Sequence, residues 1–263
     1  MISNCGHDEN GKYSGGKSGD QNGTEWQVIP WYNRPWNVVL RHPDKRVQDD
    51  LAYLGRAAAE NNDNGYDQGQ RTTYWEQLEA SGYDPAKITV KCEADCSAGV
   101  AANVKACGYR LGIPSLQAVS KDCYTGNLRA ALKKAGFQEF TESKYLTGPD
   151  YLLPGDILLY EGHHVATNLD AGSKAIVAGW HQDEHGWWYQ DPDGGYPRME
   201  WRLINHHWYL FGNSGYMITG WAQWDGKKTG SGDWYYLEEE GDYQGACWHA
   251  KGNSGALERW YVE

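Results

Sequence analysis

Asp95-Cys96-Ser97-Ala98-Gly99-Val100, then Leu152-Leu153-Pro154-Gly155-Asp156-Ile157-Leu158-Leu159, then His163-His164-Val165-Ala166 are the stretches that decide the fold. Aspartate caps helices well, so Asp95 starts a helix with Cys96 in its first turn. Val100, Val104, Cys107 and Leu111 carry the apolar stripe until Gly112 and Pro114 end it. Free N–H groups and the helix dipole favour a thiolate there; the neighbouring Asp95 carboxylate opposes it, so a cationic imidazole is expected to help.

Pro154-Gly155-Asp156 turns the chain into a buried-type strand over 157–160, and Glu161-Gly162 turns it again into a strand over 163–169. Period-two alternation puts His164, Ala166 and Asn168 on one face and His163, Val165, Thr167 and Leu169 on the other. Val165 and Leu169 belong in a core, which turns His164 towards a cleft and leaves His163 structural. Cys96 is thus the candidate nucleophile, His164 the candidate base, and Asn168 the group expected to orient the imidazole.

Outward from these stretches, Val47, Leu51, Leu54 and Ala58 mark an amphipathic helix over 43–61, and further helices are expected over 71–80 and 125–135, the last closed by Gly136. Residues 1–36, rich in Gly, Ser, Asn and Asp and ending in Trp26-Gln27-Val28-Ile29-Pro30-Trp31-Tyr32-Asn33-Arg34-Pro35-Trp36, are expected to form an ordered loop arm whose aromatics pack. The order of elements, helices first and sheet second, predicts an α+β domain over 1–172. Residues 173–178 form a linker.

The tail, 179–263, is different in kind. Ten of the 14 tryptophans fall within 177–263, while the chain has only three Phe. Gly179-Trp180, Glu200-Trp201 and Gly220-Trp221 recur and are followed by Trp187-Trp188, Trp208-Tyr209 and Trp234-Tyr235; the third interval is longer because Asp225 to Gly232 reads as an insertion. Turns at Gly195-Tyr196 and Gly215-Tyr216 complete the units. The expectation is an all-β solenoid of stacked hairpins, in which one unit cannot bury its own face. Trp180, Trp187, Tyr196, Trp201, Trp208, Tyr216, Trp221 and Trp234 are its candidate ligand-binding residues.

Charge narrows the partners. The net charge is −11, with 18 basic and 22 acidic groups in the first 176 residues against 6 and 13 in the rest, and no Lys/Arg cluster. Nucleic acid is excluded as a partner, and an acidic, aromatic tail suits sugars or cationic ligands. No apolar stretch marks a membrane span or a secretory signal, so synthesis in a cytoplasm is expected. Six cysteines (Cys5, Cys92, Cys96, Cys107, Cys123 and Cys247) form no dense framework and read as reduced thiols.

DCSAGV, LPGDILLY and GHHVA together resemble the NlpC-type papain-like cysteine peptidases of bacterial cell walls, over roughly residues 85–170. The resemblance implies a papain-like fold, Cys96 as nucleophile, His164 as general base, no cofactor and no metal, and a peptide or amide bond of peptidoglycan as substrate. The family's third polar residue is usually about a dozen positions after the histidine, where this chain has Ile176; Asn168 is therefore this chain's own candidate. The aromatic arm lies outside the family's pattern, in a position to line the cleft.

GWHQDEHGWWYQDPDGGYPRMEW and WRLINHHWYLFGNSGYMITGW are similar to the choline-binding or glucan-binding repeats of wall-hydrolysing proteins, whose aromatic cages hold quaternary ammonium or stack on sugar. Together the two resemblances imply a phage-type endolysin acting on the wall after release. Competing readings are a non-catalytic wall-binding protein and a zinc-dependent amidase using Cys5, His7, Asp8, Cys92 and Cys96. Asp20-Gln21-Asn22-Gly23 reads as a plain turn rather than a calcium loop, because the closing Glu is missing.

Overall fold

Strands of only three to five residues, alternating in their apolar positions, build a six-stranded antiparallel sheet through the first part of the chain. The computed structural model describes residues 1–176, 178–191, 195–250 and 257–259, and the chain divides into two units, 1–175 and 176–263. Val177, in the expected linker, lies outside the described residues.

In the first unit the elements run β1 (Ile2–Cys5), β2 (Trp26–Ile29), β3 (Val38–Arg41), α1 (Lys45–Glu60), β4 (Asn64–Tyr66), α2 (Thr73–Ala80), β5 (Cys92–Ala94), α3 (Cys96–Leu111), α4 (Pro114–Gln117), α5 (Leu128–Lys134), β6 (Gln138–Phe140), α6 (Ser143–Leu146), β7 (Ile157–Tyr160) and β8 (His164–Asn168). The sheet order is β2-β1-β8-β7-β3-β6. Two expectations are corrected here. The arm 1–36 is not only loop, since it supplies β1 and β2, and the unit does not run helices first, since three strands precede α1. Ile2-Ser3-Asn4-Cys5 and Trp26-Gln27-Val28-Ile29 are too short to show a period of two.

The sheet's two faces follow the alternation. Val38, Leu40, Ile157, Leu159 and Val165 pack with Val47, Leu51 and Leu54 of α1 and Val100 and Val104 of α3 in the larger core. Ile2, Val39, Leu158 and Ala166 point to the opposite face, where Trp36 and Leu152 cover them. Asp156 of the Pro-Gly-Asp turn is fully buried and held by Arg41 through two hydrogen bonds of 2.6 and 2.7 Å, so its role is structural. Asp20 forms the expected plain turn: its two oxygens accept the N–H groups of Asn22, Thr24, Glu25 and Trp26.

The second unit is built of the expected hairpins. β9 (Gly179–Asp183) pairs with β10 (Gly186–Gln190), β11 (Glu200–Ile204) with β12 (His207–Phe211), and β13 (Gly220–Trp224) with β14 (Asp233–Leu237); β15 (Cys247–Ala250) and β16 (Leu257–Arg259) extend the last pair into four strands. Asn205 and His206 both have positive φ, at 48° and 70°, as a two-residue turn matched to strand twist requires. Neighbouring hairpins bury one another: Trp180 packs with Ile204, Tyr209 and Phe211, and Trp201 and Tyr235 pack with Leu210 and Leu237. Residues 192–194, 251–256 and 260–263 lie outside the described residues.

Trp26 locks β2 to α3. A Cβ at Gly99 would fall 2.7 Å from Cη2 of Trp26, and the Trp26 indole N–H donates to Ser3 Oγ at 2.9 Å. Gly→Ala inside a helix ordinarily stabilises by about 1 kcal/mol. Gly99→Ala is expected to reverse that sign and cost about 1–3 kcal/mol by overpacking, read from urea unfolding; a stabilised variant would show that the indole yields.

Candidate active site and aromatic cleft

Cys96 begins α3, and the Asp95 carboxylate caps it by accepting from Ser97 N–H at 2.9 Å and Ala98 N–H at 2.7 Å. Arg71 grips that carboxylate with Nε and Nη2, at 2.5 and 3.2 Å, and also donates to Ser97 Oγ and the Cys123 carbonyl. The cap is therefore itself held by a cation. Cys96 and Val165, the residue next to His164, belong to the same core cluster, and the Val165 backbone N–H favours the thiolate. No hydrogen bond joins the thiol to the imidazole among the described residues.

His164, the first residue of β8, is buried on the Trp36 face of the sheet, with ring centroids 6.1 Å apart. Its Nε2 lies 2.8 Å from Asn4 Oδ1. Because that atom is an oxygen, Nε2 carries the proton and donates, and Nδ1 is left as the basic nitrogen. Asn4 Oδ1 also accepts from Tyr32 O–H at 3.2 Å, and Tyr32 O in turn accepts from Arg34 Nη1 at 3.1 Å. A directed chain from Arg34 through Tyr32 and Asn4 thus fixes the imidazole.

Asn168 does not orient His164. Its amide donates to the carbonyls of Leu153 and Asp170, both at 2.7 Å, which ties the end of β8 to the Pro-Gly-Asp turn. Four residues along a strand amount to ~13 Å, well beyond hydrogen-bond reach. The polar group at the imidazole is Asn4, which sequence reasoning missed because only the pairing of β1 with β8 brings residue 4 to residue 164. His163 lies exposed in the turn, stacked on Tyr160 at 4.2 Å, rather than in the core.

Burial pushes the Cys96 thiol up to about 12, helped by the Asp95 charge and opposed by the N–H groups of Val165 and Ser97 and by Arg34. Burial and then the Arg34 charge lower His164 to about 3. The expected thiolate–imidazolium pair is therefore not the resting state; both groups are neutral at pH 7. The zinc alternative finds no support in the geometry: Cys5 Sγ faces the Ala94 carbonyl, Cys92 Sγ faces Asn64, and no metal-holding group of three His, Cys, Asp or Glu occurs among the described residues. All six cysteines are buried and unpaired.

In the hairpin unit, Trp201 and Trp208 line a cleft of about 630 Å³ together with Trp224, Tyr235, Asp225 and Asp233. Trp180 and Trp187 border a smaller one of about 180 Å³ with Tyr209 and Met217, and Tyr196 and Tyr216 border a third of about 300 Å³ with Trp188 and Asp183. Trp221 and Trp234 line none of these; they are exposed and meet edge-on at 6.4 Å. Trp224, Tyr235 and Trp188 were not singled out in the sequence, although the aromatic doublets contain two of them.

The model of the endolysin-like domain family (ELLD) matches residues 2–175. The chain belongs to that family. None of the curated proteins matches. Among solved structures, the modular Cpl-1 endolysin complexed with a peptidoglycan analogue is 26% identical over 36% of this chain and 30% of that one, with a TM-score of 0.23. Choline binding protein F from Streptococcus pneumoniae is 26% identical over 48% and 44%, with a TM-score of 0.24. A multimodular pneumococcal endolysin from phage Cp-1, complexed with choline, is 20% identical over 36% and 35%, with a TM-score of 0.15. The chain spans less than half the length of each. No described helix is long and apolar enough to cross a membrane.

With His164 held at about 3 against an ordinary 6.5, the unfolded chain binds a proton between those values that the folded endolysin-like unit refuses. Stability is expected to fall as pH drops from about 6.5 towards about 3. Urea unfolding across that window should show the slope, and His164→Gln should flatten it. Proton NMR that finds the His164 ring titrating near 6.5 would contradict its burial.

Proposed function

We propose that this endolysin-like chain is a papain-like cysteine hydrolase that cuts a peptide or amide bond of peptidoglycan. The observation that carries the reading is Asn4 Oδ1 at 2.8 Å from His164 Nε2, which leaves Nδ1 as base one residue from Val165, a member of the same core cluster as Cys96. As Cys96 Sγ attacks the carbonyl carbon, His164 Nδ1 takes the thiol proton and then delivers it to the leaving amine; water hydrolyses the thioester by the same route in reverse. With the thiol at about 12 and the imidazole at about 3, proton transfer between the resting groups is steeply uphill, so S–C bond formation must drive it.

The helix start supplies less to an oxyanion than its position suggests. Asp95 already takes the N–H groups of Ser97 and Ala98, so the Cys96 N–H is the first-turn donor that remains for the developing charge. Clearing of a peptidoglycan suspension is expected from the wild type and not from Cys96→Ala; equal clearing by both would sink the cysteine mechanism. Asn4→Ala is expected to lower kcat by roughly 10²-fold while leaving KM nearly unchanged. Asn168→Ala should instead lower the unfolding midpoint, since its amide joins two backbone segments.

The hairpin unit is proposed to hold the enzyme on a cell-wall polymer. Trp201, Trp208, Trp224 and Tyr235 surround a cleft into which Asp225 and Asp233 also open, a combination that favours a cation such as the choline head group over a neutral sugar. Retention on an immobilised quaternary ammonium, with elution by free choline, is expected for the wild type and for Cys96→Ala. Trp208→Ala should lose roughly tenfold or more in affinity. Retention on glucan instead would assign the cleft to sugar.

A further inference from the structure

Seven arginines lie in the first unit, and six are paired with carboxylates: Arg41 with Asp156, Arg46 with Asp44, Arg56 with Asp170, Arg71 with Asp95, Arg110 with Asp50 and Arg129 with Glu139. Arg34 alone has no acidic partner among the described residues. Its site makes that informative. Nη1 donates to Tyr32 O at 3.1 Å, the guanidinium carbon stands 5.9 Å from the Tyr32 ring centre, and Tyr32 is bonded to Asn4, which holds His164. Pro35 follows directly and restricts Arg34 to extended backbone, so the guanidinium is carried on a stiff mount rather than a free tether.

Asp95, the acid that caps the Cys96 helix, is already committed to Arg71. A half-buried cation beside a reactive pair, in a chain of net charge −11, therefore lacks the counter-charge that every other arginine of the unit has. One Arg N–H is used by Tyr32, and the remaining donors form a planar fork suited to a carboxylate. The charge reaches both Cys96 and His164, which sets the missing anion close to the bond being cut.

We infer that Arg34 is the substrate-carboxylate receptor of this site: it binds a free carboxylate of the peptide next to the scissile bond and so selects acid-bearing over amidated stem peptides. The inference rests on the hydrolase reading for its substrate, yet it can be tested by binding alone. Cys96→Ala protein would be titrated with a short muropeptide ending in a free carboxylate and with the same peptide amidated, followed by the Cys96→Ala/Arg34→Gln and Cys96→Ala/Arg34→Lys proteins. The acid should bind about 10- to 100-fold tighter than the amide, Arg34→Gln should erase the difference, and Arg34→Lys should keep part of it. Equal affinity for acid and amide, no measurable binding of either, or an Arg34→Gln protein that weakens both alike would overturn the assignment. If the preference holds but the wild type cuts neither peptide, the receptor stands and the hydrolase reading falls.

Discussion

Pairing of β1 with β8, Ile2 against Asn168 and Ser3 against Thr167, is the contact on which the site depends. It closes a loop of some 165 residues, an expensive step in chain entropy, and puts the first strand of the chain beside the strand that begins with His164. Because β1 also alternates, Ile2 and Asn4 face the Trp36 side while Ser3 and Cys5 face the helices. One register thus seats Ile2 in the core and Asn4 on the imidazole. A slip by one residue would exchange these faces and leave His164 without its partner. Ser3 guards that register by donating to the Gly55 carbonyl at 2.7 Å while accepting from the Trp26 indole.

The long loops between β1 and β2 fold without secondary structure because buried carboxylates take their backbone N–H groups. Asp8 accepts from Asn10 and Lys12, Asp67 from Gly15, Glu93 from Gly19 and Glu25 from Gln21. Such acids satisfy donors that a Gly-rich segment would otherwise bury unpaired. Crowding has a cost: burial, with Glu25 and Asp67 nearby, lifts Glu93 to about 7. The proton that the fold gains between about 4.5 and about 7 makes this corner most stable on the acid side, opposite in sign to His164. The two penalties overlap: between about 4.5 and about 6.5, lowering the pH relieves Glu93 while it costs His164, so no pH frees both.

How much of this was legible depends on range in sequence. Val47, Leu51, Leu54 and Ala58 announced α1, and the capping Asp95 and closing Gly112 bounded α3, because each signal lies within a helix turn or two of what it specifies. Cys96 and His164 came from local motifs in the same way. Asn4 did not, since nothing within residues 1–36 says which strand β1 will join. Asn168 was chosen for sharing a face with His164, but a shared face fixes direction and not distance. The thiolate was expected from the helix dipole with the help of a cationic imidazole; desolvation, which only the packed structure reveals, outweighs both.

In the hairpin unit the repeat was visible as spacing, while the cleft came from the departure from it. The insertion between Trp224 and Asp233 keeps β13 and β14 in register, with Trp224 opposite Asp233 and Gln223 opposite Trp234, so the extra residues leave the ladder as a loop. Gly232 makes this possible: it has φ of 90°, and a Cβ there would fall 2.2 Å from the Trp224 carbonyl oxygen. Asp225, at the loop's start, accepts from Lys227 and Lys228 N–H and from Ser231, which sets the loop and fixes the carboxylate beside the rings. A regular repeat would have closed with a two-residue turn like that at Asn205-His206, and Asp225 would not stand at the cleft. The irregular interval is therefore the part of the repeat that brings Asp225 to this cleft.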